Sequence, residues 1–135
     1  MSTDFYTSAF SQNYMFARSK KMAAPADATY NVIRIPRYAF VKQVWVLITT
    51  AYTLGTATLE IGWMGNKEVA VTDGFMTSDV TVPNALGLKV MIDVSISSQP
   101  GKYFSAASGA ITVTTDDDGG TAGTFFVFVD YSVIF

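Results

Sequence analysis

Apolar side chains recur at every second position in several segments of this chain, and this period constrains the fold more than any other feature. In the segment TATLEIGW (56–63), Leu59, Ile61 and Trp63 share one face while Glu60 falls on the other. The segment LKVMIDVSISS (88–98) repeats the alternation. Because a strand places successive side chains on opposite faces, both segments predict half-buried β-strands.

Other segments are rich in Val, Ile, Thr and aromatic residues, which favours further strands. These are NVIRI (31–35), which Pro36 ends, the run 38–52, AITVTT (110–115) and the final segment 123–135. Turn-forming residues separate the segments, among them Gly65-Asn66 and Asp73-Gly74. With about eight such strands and no helical pattern after residue 30, the chain is expected to be all-β, as an antiparallel β-sandwich, a jelly-roll-like domain or a small barrel over residues 30–135.

Residues 1–29 differ from the rest in carrying aromatic side chains among small polar residues. Disordered tails are poor in aromatic residues, so we expect an extended N-terminal arm that lies ordered on a surface. The recurrence of Tyr6, Phe10 and Tyr14 at every fourth position fits a short helix. The predicted partner contacts are the arm's aromatic residues and three nearby cations: Phe5, Tyr6, Phe10, Tyr14, Phe16, Arg18, Lys20 and Lys21. The alternative, in which the arm covers an edge or face of its own domain, stays open.

The amino-acid composition excludes several classes of site and function. A chain of 135 residues suggests one domain with a core of its own. The absence of cysteine and histidine excludes disulfides, thiolate metal sites and Ser-His-Asp catalysis. The net charge of −2 argues against nucleic acid as a partner, and no apolar run has the length of a spanning helix. Six of the nine basic residues precede position 43, which predicts either a solvated face or a basic arm that docks on an acidic neighbour.

The consecutive acids Asp116, Asp117 and Asp118 precede two glycines between strand patterns. Calcium loops space their acids at alternate positions, whereas neighbours on extended backbone point to opposite faces. The segment therefore predicts a hairpin turn and no metal site, with a cation shared between subunits as the alternative.

Catalysis has few candidate groups, so no enzyme activity is predicted. The available carboxylates are Glu60, Glu68, Asp73, Asp79, Asp93 and Asp130, of which Glu60 and Asp93 fall on polar strand faces. Carbohydrate binding would use exposed aromatic platforms, with Trp45, Tyr52, Trp63 and Tyr103 as candidates. The register of Trp63 favours the core, and Trp45 favours core or interface.

The last strand pattern is apolar on both faces at its start. Phe125, Val127 and Val129 form one row, and Phe126 and Phe128 begin the other. A central strand of a sandwich has this pattern, and so does a strand whose outer face meets a partner.

Several stretches resemble small virion proteins of tailed bacteriophages that are assigned as head decoration or cement proteins. The resemblance covers residues 39–135 and rests on TATLEIGW, the DGFM turn, GKYFSAASGAITVT and the ending DGGTAGTFFVFVDYSVIF. It implies a β-sandwich without cofactors on the capsid surface, assembled in the host cytoplasm. The partners it implies are the major capsid protein and further copies of the chain, with a homotrimer favoured. The alternatives are another virion component, such as a neck, tail or fibre-base protein, and a carbohydrate-binding module.

Overall fold

The computed structural model describes residues 14–23, 28–50, 58–76, 90–93, 101–116 and 123–134. Within these ranges all extended regular structure is β-strand. The ten strands are β1 (Tyr14–Arg18), β2 (Met22–Ala23), β3 (Ala28–Arg34), β4 (Ala39–Thr50), β5 (Thr58–Met64), β6 (Val71–Met76), β7 (Val90–Asp93), β8 (Lys102–Phe104), β9 (Ala110–Asp116) and β10 (Thr124–Val133). No helix in the described part of the chain is long and apolar enough to cross a membrane.

The strands form two antiparallel sheets. The first sheet has the order β1-β10-β4-β7. β2 also pairs with β10, beyond the end of β1, and β8 also pairs with β4, beyond the end of β7. The second sheet has the order β3-β9-β5-β6. Because β1 and β2 share one position and β7 and β8 share another, each sheet has four strand positions.

The connections define a jelly roll. Along the described part of the chain, successive strand positions alternate between the two sheets, except that β5 and β6 are neighbours in the same sheet. The pairs β1–β10, β3–β9, β4–β7 and β5–β6 correspond to one long hairpin that is rolled into two layers. The predicted all-β sandwich with jelly-roll character is therefore confirmed, and the two separate sheets exclude the small barrel.

The core lies between the inner faces of the sheets, and the period-two rows predict its members. Val127 of β10 and Val46 of β4 face inward from the first sheet, and Ile61 of β5 and Val113 of β9 face inward from the second; all four are fully buried. Trp63 is only 6% exposed, which confirms its predicted place in the core. Its ring packs edge-on against Phe75 of β6, with the ring centroids 5.2 Å apart.

Two local turn predictions were wrong. The strands flanking the consecutive aspartates, β9 and β10, lie in different sheets, so they do not form the predicted hairpin. Asp117 and Asp118 lie outside the described residues. The pair Asp73-Gly74, expected to form a turn, lies inside β6. A Cβ at Gly74 would lie 2.0 Å from the Trp63 ring, so this glycine makes room for the indole.

The described part of the segment predicted as an arm contains strands that pair within the sheets. β1 runs antiparallel to β10, from Tyr14 opposite Ser132 to Arg18 opposite Phe128. β2 continues along the same edge, with Met22 opposite Phe125. Residues 1–13 and 24–27 lie outside the described residues.

Candidate functional site

The two outer faces of the sandwich differ in chemistry. On the second sheet, Thr29 and Thr114 join their hydroxyls at 2.8 Å, and Glu60 lies opposite Thr114 on the next strand. Exposed Asn31 and Thr72 belong to the same sheet. Threonine, asparagine and carboxylate side chains are well solvated, so this is an ordinary water-facing surface.

The outer face of the first sheet is aromatic instead. Its rings alternate with the buried residues of β4, β8 and β10 and extend onto β1, and we call them the aromatic face: Phe16, Phe40, Trp45, Tyr103, Phe126 and Phe128. Trp45 and Phe128 lie directly opposite each other, as do Phe40 and Tyr103. Cross-strand alignment therefore brings rings from four strands onto one surface.

Phe16, on the edge strand β1, contacts two other rings of the aromatic face. Its ring stacks on Phe128 with a centroid separation of 5.6 Å and lies 5.9 Å from Trp45. Phe126 adjoins Phe128 at 6.3 Å. Aromatic pairs at such distances stabilise each other by about 0.5–1.5 kcal/mol beyond the area that they bury. The rings are thus held in place while their outer surfaces stay accessible.

The aromatic face remains in contact with solvent. Phe16 is 55% exposed, Phe40 37% and Tyr103 36%, whereas Trp45, Phe126 and Phe128 are half-buried. Soluble proteins seldom leave neighbouring large aromatic side chains uncovered unless the surface contacts a partner. This arrangement makes the aromatic face the strongest candidate for an interaction surface.

Cations border the aromatic face along its β1–β2 edge. The Arg18 guanidinium lies over the Phe126 ring at 4.9 Å, a cation–π contact. Exposed Lys20 and Lys21 follow it and line a groove of ≈ 660 Å³ between β2 and β3, together with Tyr30. Among the described residues, none of these three cations forms a salt bridge.

The structure brings together some of the predicted contact residues. Phe16 and Arg18 lie on the aromatic face, whereas Lys20 and Lys21 follow Arg18 in the chain and line the groove between β2 and β3. Tyr14 belongs to β1 through its backbone pairing with Ser132. Phe5, Tyr6 and Phe10 lie outside the described residues.

Sequence reasoning did not include Trp45, Phe126 and Phe128 among the contact residues. Their signal is present, because all three occur in strands that are apolar on both faces. A single strand pattern does not show which of its two apolar rows meets the opposite sheet. Only the pairing of Phe16 with β10 and of β10 with β4 identifies the outer row.

Lys102 and Glu68 form an ion pair beside the buried Trp63 ring. Lys102 forms a salt bridge with Glu68 at 2.6 Å and lies 4.5 Å from the Trp63 ring centroid. The hydrogen bond from Lys102 is the main cause that lowers the pKa of Glu68; burial opposes it, and the positive charge of Lys102 lowers this pKa further. The Trp63 indole N–H and the Asn66 amide also lower this pKa, although the indole forms no hydrogen bond of standard geometry.

Asn66 holds the turn after β5 against the segment after β8. Its Oδ1 accepts hydrogen bonds from the backbone N–H groups of Ser105 at 2.7 Å and Ala106 at 3.1 Å. Its Nδ2 donates to the Tyr103 carbonyl at 3.2 Å. Together with the Lys102–Glu68 pair, these bonds connect the two sheets at one end of the sandwich.

The two alternatives, a shared cation site and a sugar-binding surface, gain no support from the described residues. Asp116 ends β9, and the described residues contain no cluster of three potential metal-ligating side chains. Trp63 is in the core, Tyr52 lies outside the described residues, and Trp45 packs against Phe16. Among the described candidates for a sugar platform, Tyr103 is 36% exposed and Trp45 is half-buried.

The fold and the surface define a jelly-roll sandwich with one aromatic and one polar outer face. Three solved structures contain chains of this fold. A chain of "Cyanophage Pam1 capsid asymmetric unit" superposes with a TM-score of 0.67 at 13% identity, over 90% of this chain and 86% of that one. A chain of "Acidic stable capsid structure of Helicobacter pylori bacteriophage KHP30" gives 0.64 at 12%, over 88% and 86%. A chain of "Capsid of Ralstonia phage GP4" gives 0.60 at 14%, over 90% and 85%.

At these identities the likeness establishes a shared fold. The alignments span most of both chains, so each of these phage-capsid chains is close to this one in length. No protein-family profile and no curated protein sequence matches this chain.

Proposed function

We propose that this protein is a structural component of a bacteriophage virion and that it acts without catalysis. The observation that carries the proposal is the jelly roll shared, over nearly the whole chain, with chains of similar length from three phage capsids. The exposed aromatic face supports the same proposal, because a protein that works by attachment needs a contact surface.

Within the virion, the proposed role is that of a cement or decoration protein on the outside of the head. It binds the major capsid protein and clamps neighbouring capsid subunits, with a homotrimer as the favoured state. Linked copies raise one another's effective concentration, so weak individual contacts combine into slow dissociation. Assembly takes place in the host cytoplasm.

The contact residues of this proposal are those of the N-terminal segment. Phe5, Tyr6, Phe10 and Tyr14 contribute apolar contacts, and Phe16 continues them onto the sandwich. Arg18, Lys20 and Lys21 contribute charge contacts. Phe16 is exposed, and Arg18, Lys20 and Lys21 form no salt bridge with any described residue. Both observations support this assignment.

Particles assembled with and without the protein test the role. Cryo-electron microscopy should show added density on the head only when the protein is present. Density at the neck or tail would assign it to another virion component, and its absence from purified virions would overturn the proposal.

A truncation tests the N-terminal contacts. Deletion of residues 2–13 removes Phe5, Tyr6 and Phe10 and leaves β1 and β2 in place. The truncated chain should keep the circular dichroism spectrum of a β-protein and lose binding to particles. Full binding by the truncated chain would remove residues 2–13 from the interface.

A further inference from the structure

We infer that the aromatic face is the attached side of the molecule, and that its occupant is an apolar, carboxylate-bearing surface of the shell rather than a second copy of this chain. The identity of the occupant as a shell protein rests on the proposed function. The orientation follows from the difference between the two outer faces, which leaves the polar face of Thr29, Thr114 and Glu60 toward water.

Burial favours attachment through the aromatic face. Phe16 leaves more than half of its surface in water, and removing apolar surface from water is favourable by about 25 cal/mol per Å². The stacked arrangement of Phe16 on Phe128 fixes both rings before any partner arrives. Little side-chain entropy is then lost on binding, which is the property of interface anchors.

The cations at the border of the aromatic face indicate that the binding partner carries carboxylates. The cation–π contact with Phe126 holds Arg18 at this border, and Lys20 and Lys21 follow it in the chain. These cations form no salt bridge among the described residues, so carboxylates of a partner can neutralise them. A matching surface is apolar at its centre and acidic at one margin.

The same charges disfavour a second copy of this chain on the aromatic face. A two-fold pairing through this face would enclose the cations of both molecules. Two described carboxylates lie in the register of the aromatic face: Asp130, which is buried at 7% exposure and lies opposite Phe16, and Asp93 of β7, which lies opposite Trp45. Even a pairing through Asp93 would leave two of the three cations of each molecule without a described carboxylate.

Binding to capsid particles assembled without this protein tests the inference, with co-sedimentation as the readout. Phe16→Ala should weaken binding about ten-fold or more, because it removes the most exposed ring of the face. Arg18→Gln should weaken binding and make it less sensitive to salt, whereas Arg18→Lys should keep most of that sensitivity. The matched controls are Val69→Ser and Lys67→Gln, which remove an exposed apolar group and an exposed cation elsewhere. Unchanged circular dichroism and melting temperature exclude misfolding.

Hydroxyl-radical footprinting gives an independent readout that needs no variant. Phe16, Phe126 and Phe128 should be protected in the bound state, while Met64 on the second sheet should stay reactive. If the protein binds particles but protects Met64 instead of these rings, the orientation is wrong and the proposed function stands. If it does not bind particles, both proposals fail. If Phe16→Ala converts a free oligomer into a monomer, the aromatic face serves copies of the chain, and the stated occupant is wrong.

Discussion

Ser19 and Val127 hold each other by two hydrogen bonds. The backbone N–H of Ser19 donates to the Val127 carbonyl at 2.8 Å, and the backbone N–H of Val127 donates to Ser19 Oγ at 2.9 Å. The pair lies between β1 and β2, where the regular ladder along β10 is interrupted. The serine side chain thus satisfies a backbone group that a missing strand partner would otherwise leave unpaired, and it ties the edge of the aromatic face to the sheet.

Replacing Ser19 by alanine should lower the free energy of unfolding by about 1–3 kcal/mol. Ser19 is 2% exposed, and its loss leaves the Val127 N–H buried without a partner. Urea denaturation followed by circular dichroism measures the change. Lys20→Ala, at an exposed neighbouring position, is the control and should stay within about 0.5 kcal/mol of the parent. Equal stability of both variants would contradict the role given to Ser19.

Replacing Asn66 should separate a backbone effect from a hydrogen-bond effect. Asn66 has a φ of 59° and satisfies the backbone of Tyr103, Ser105 and Ala106. Asn66→Ala should cost about 3 kcal/mol, because it loses these bonds and because alanine tolerates the left-handed region less well than asparagine does. Asn66→Gly loses the same bonds without the steric cost, so it should be milder by about 1 kcal/mol. If chemical denaturation finds alanine no worse than glycine, the backbone conformation does not contribute.

The Glu68–Lys102 pair should make stability depend on pH in the acid range. Since folding lowers the pKa of Glu68, the contribution is fully present above the carboxyl's unfolded pKa and is lost as pH falls through the lower folded value. The pair is partly exposed, so the effect should not exceed about 1 kcal/mol. Melting temperatures between neutral pH and about pH 3 should fall less steeply for Glu68→Gln than for the parent. Parallel curves for the two proteins would rule out this contribution.

Gly74 and Gly101 each lie against an aromatic ring, and replacing them by alanine should have different effects on stability. A Cβ at Gly74 would meet the buried Trp63 ring at 2.0 Å, whereas one at Gly101 would meet the tip of the exposed Phe40 ring at 2.4 Å. Phe40 can swing outward into solvent, but Trp63 is held in the core. Gly74→Ala should therefore cost about 1–3 kcal/mol and shift the tryptophan fluorescence, with a smaller loss for Gly101→Ala. Denaturant midpoints and emission spectra decide, and the reverse order would contradict the packing argument.

Chelation should leave the protein unchanged. Neighbouring side chains on an extended strand point to opposite faces, so a run of three aspartates would aim at most two carboxylates at one ion, whereas calcium takes about six to eight oxygen ligands. The melting temperature should be the same with and without EDTA, and the same again after addition of calcium. A marked drop with EDTA would reveal a cation site at these acids.

The sequence pattern predicted which residues enter the core better than it predicted which strands pair with each other. The row Leu59, Ile61 and Trp63 was assigned correctly because polar residues separate its members, and only one face of such a strand can enter a core. The connection after Asp116 was assigned incorrectly because a turn-rich segment between two strand patterns does not reveal whether those strands pair. Pairing is a property of the whole sheet order, which no local segment contains.

The sequence by itself determined that this chain is an all-β protein without histidine or cysteine chemistry, because the side-chain period of a strand is a local property of the backbone. Only the tertiary structure decided that the Phe125 row enters the core and the Phe126 row joins Phe16 and Trp45 outside. Both rows are apolar, so hydrophobicity does not distinguish them. The choice depends on which strands pair with β10 and which sheet packs against it, and those contacts join residues that are far apart in the chain.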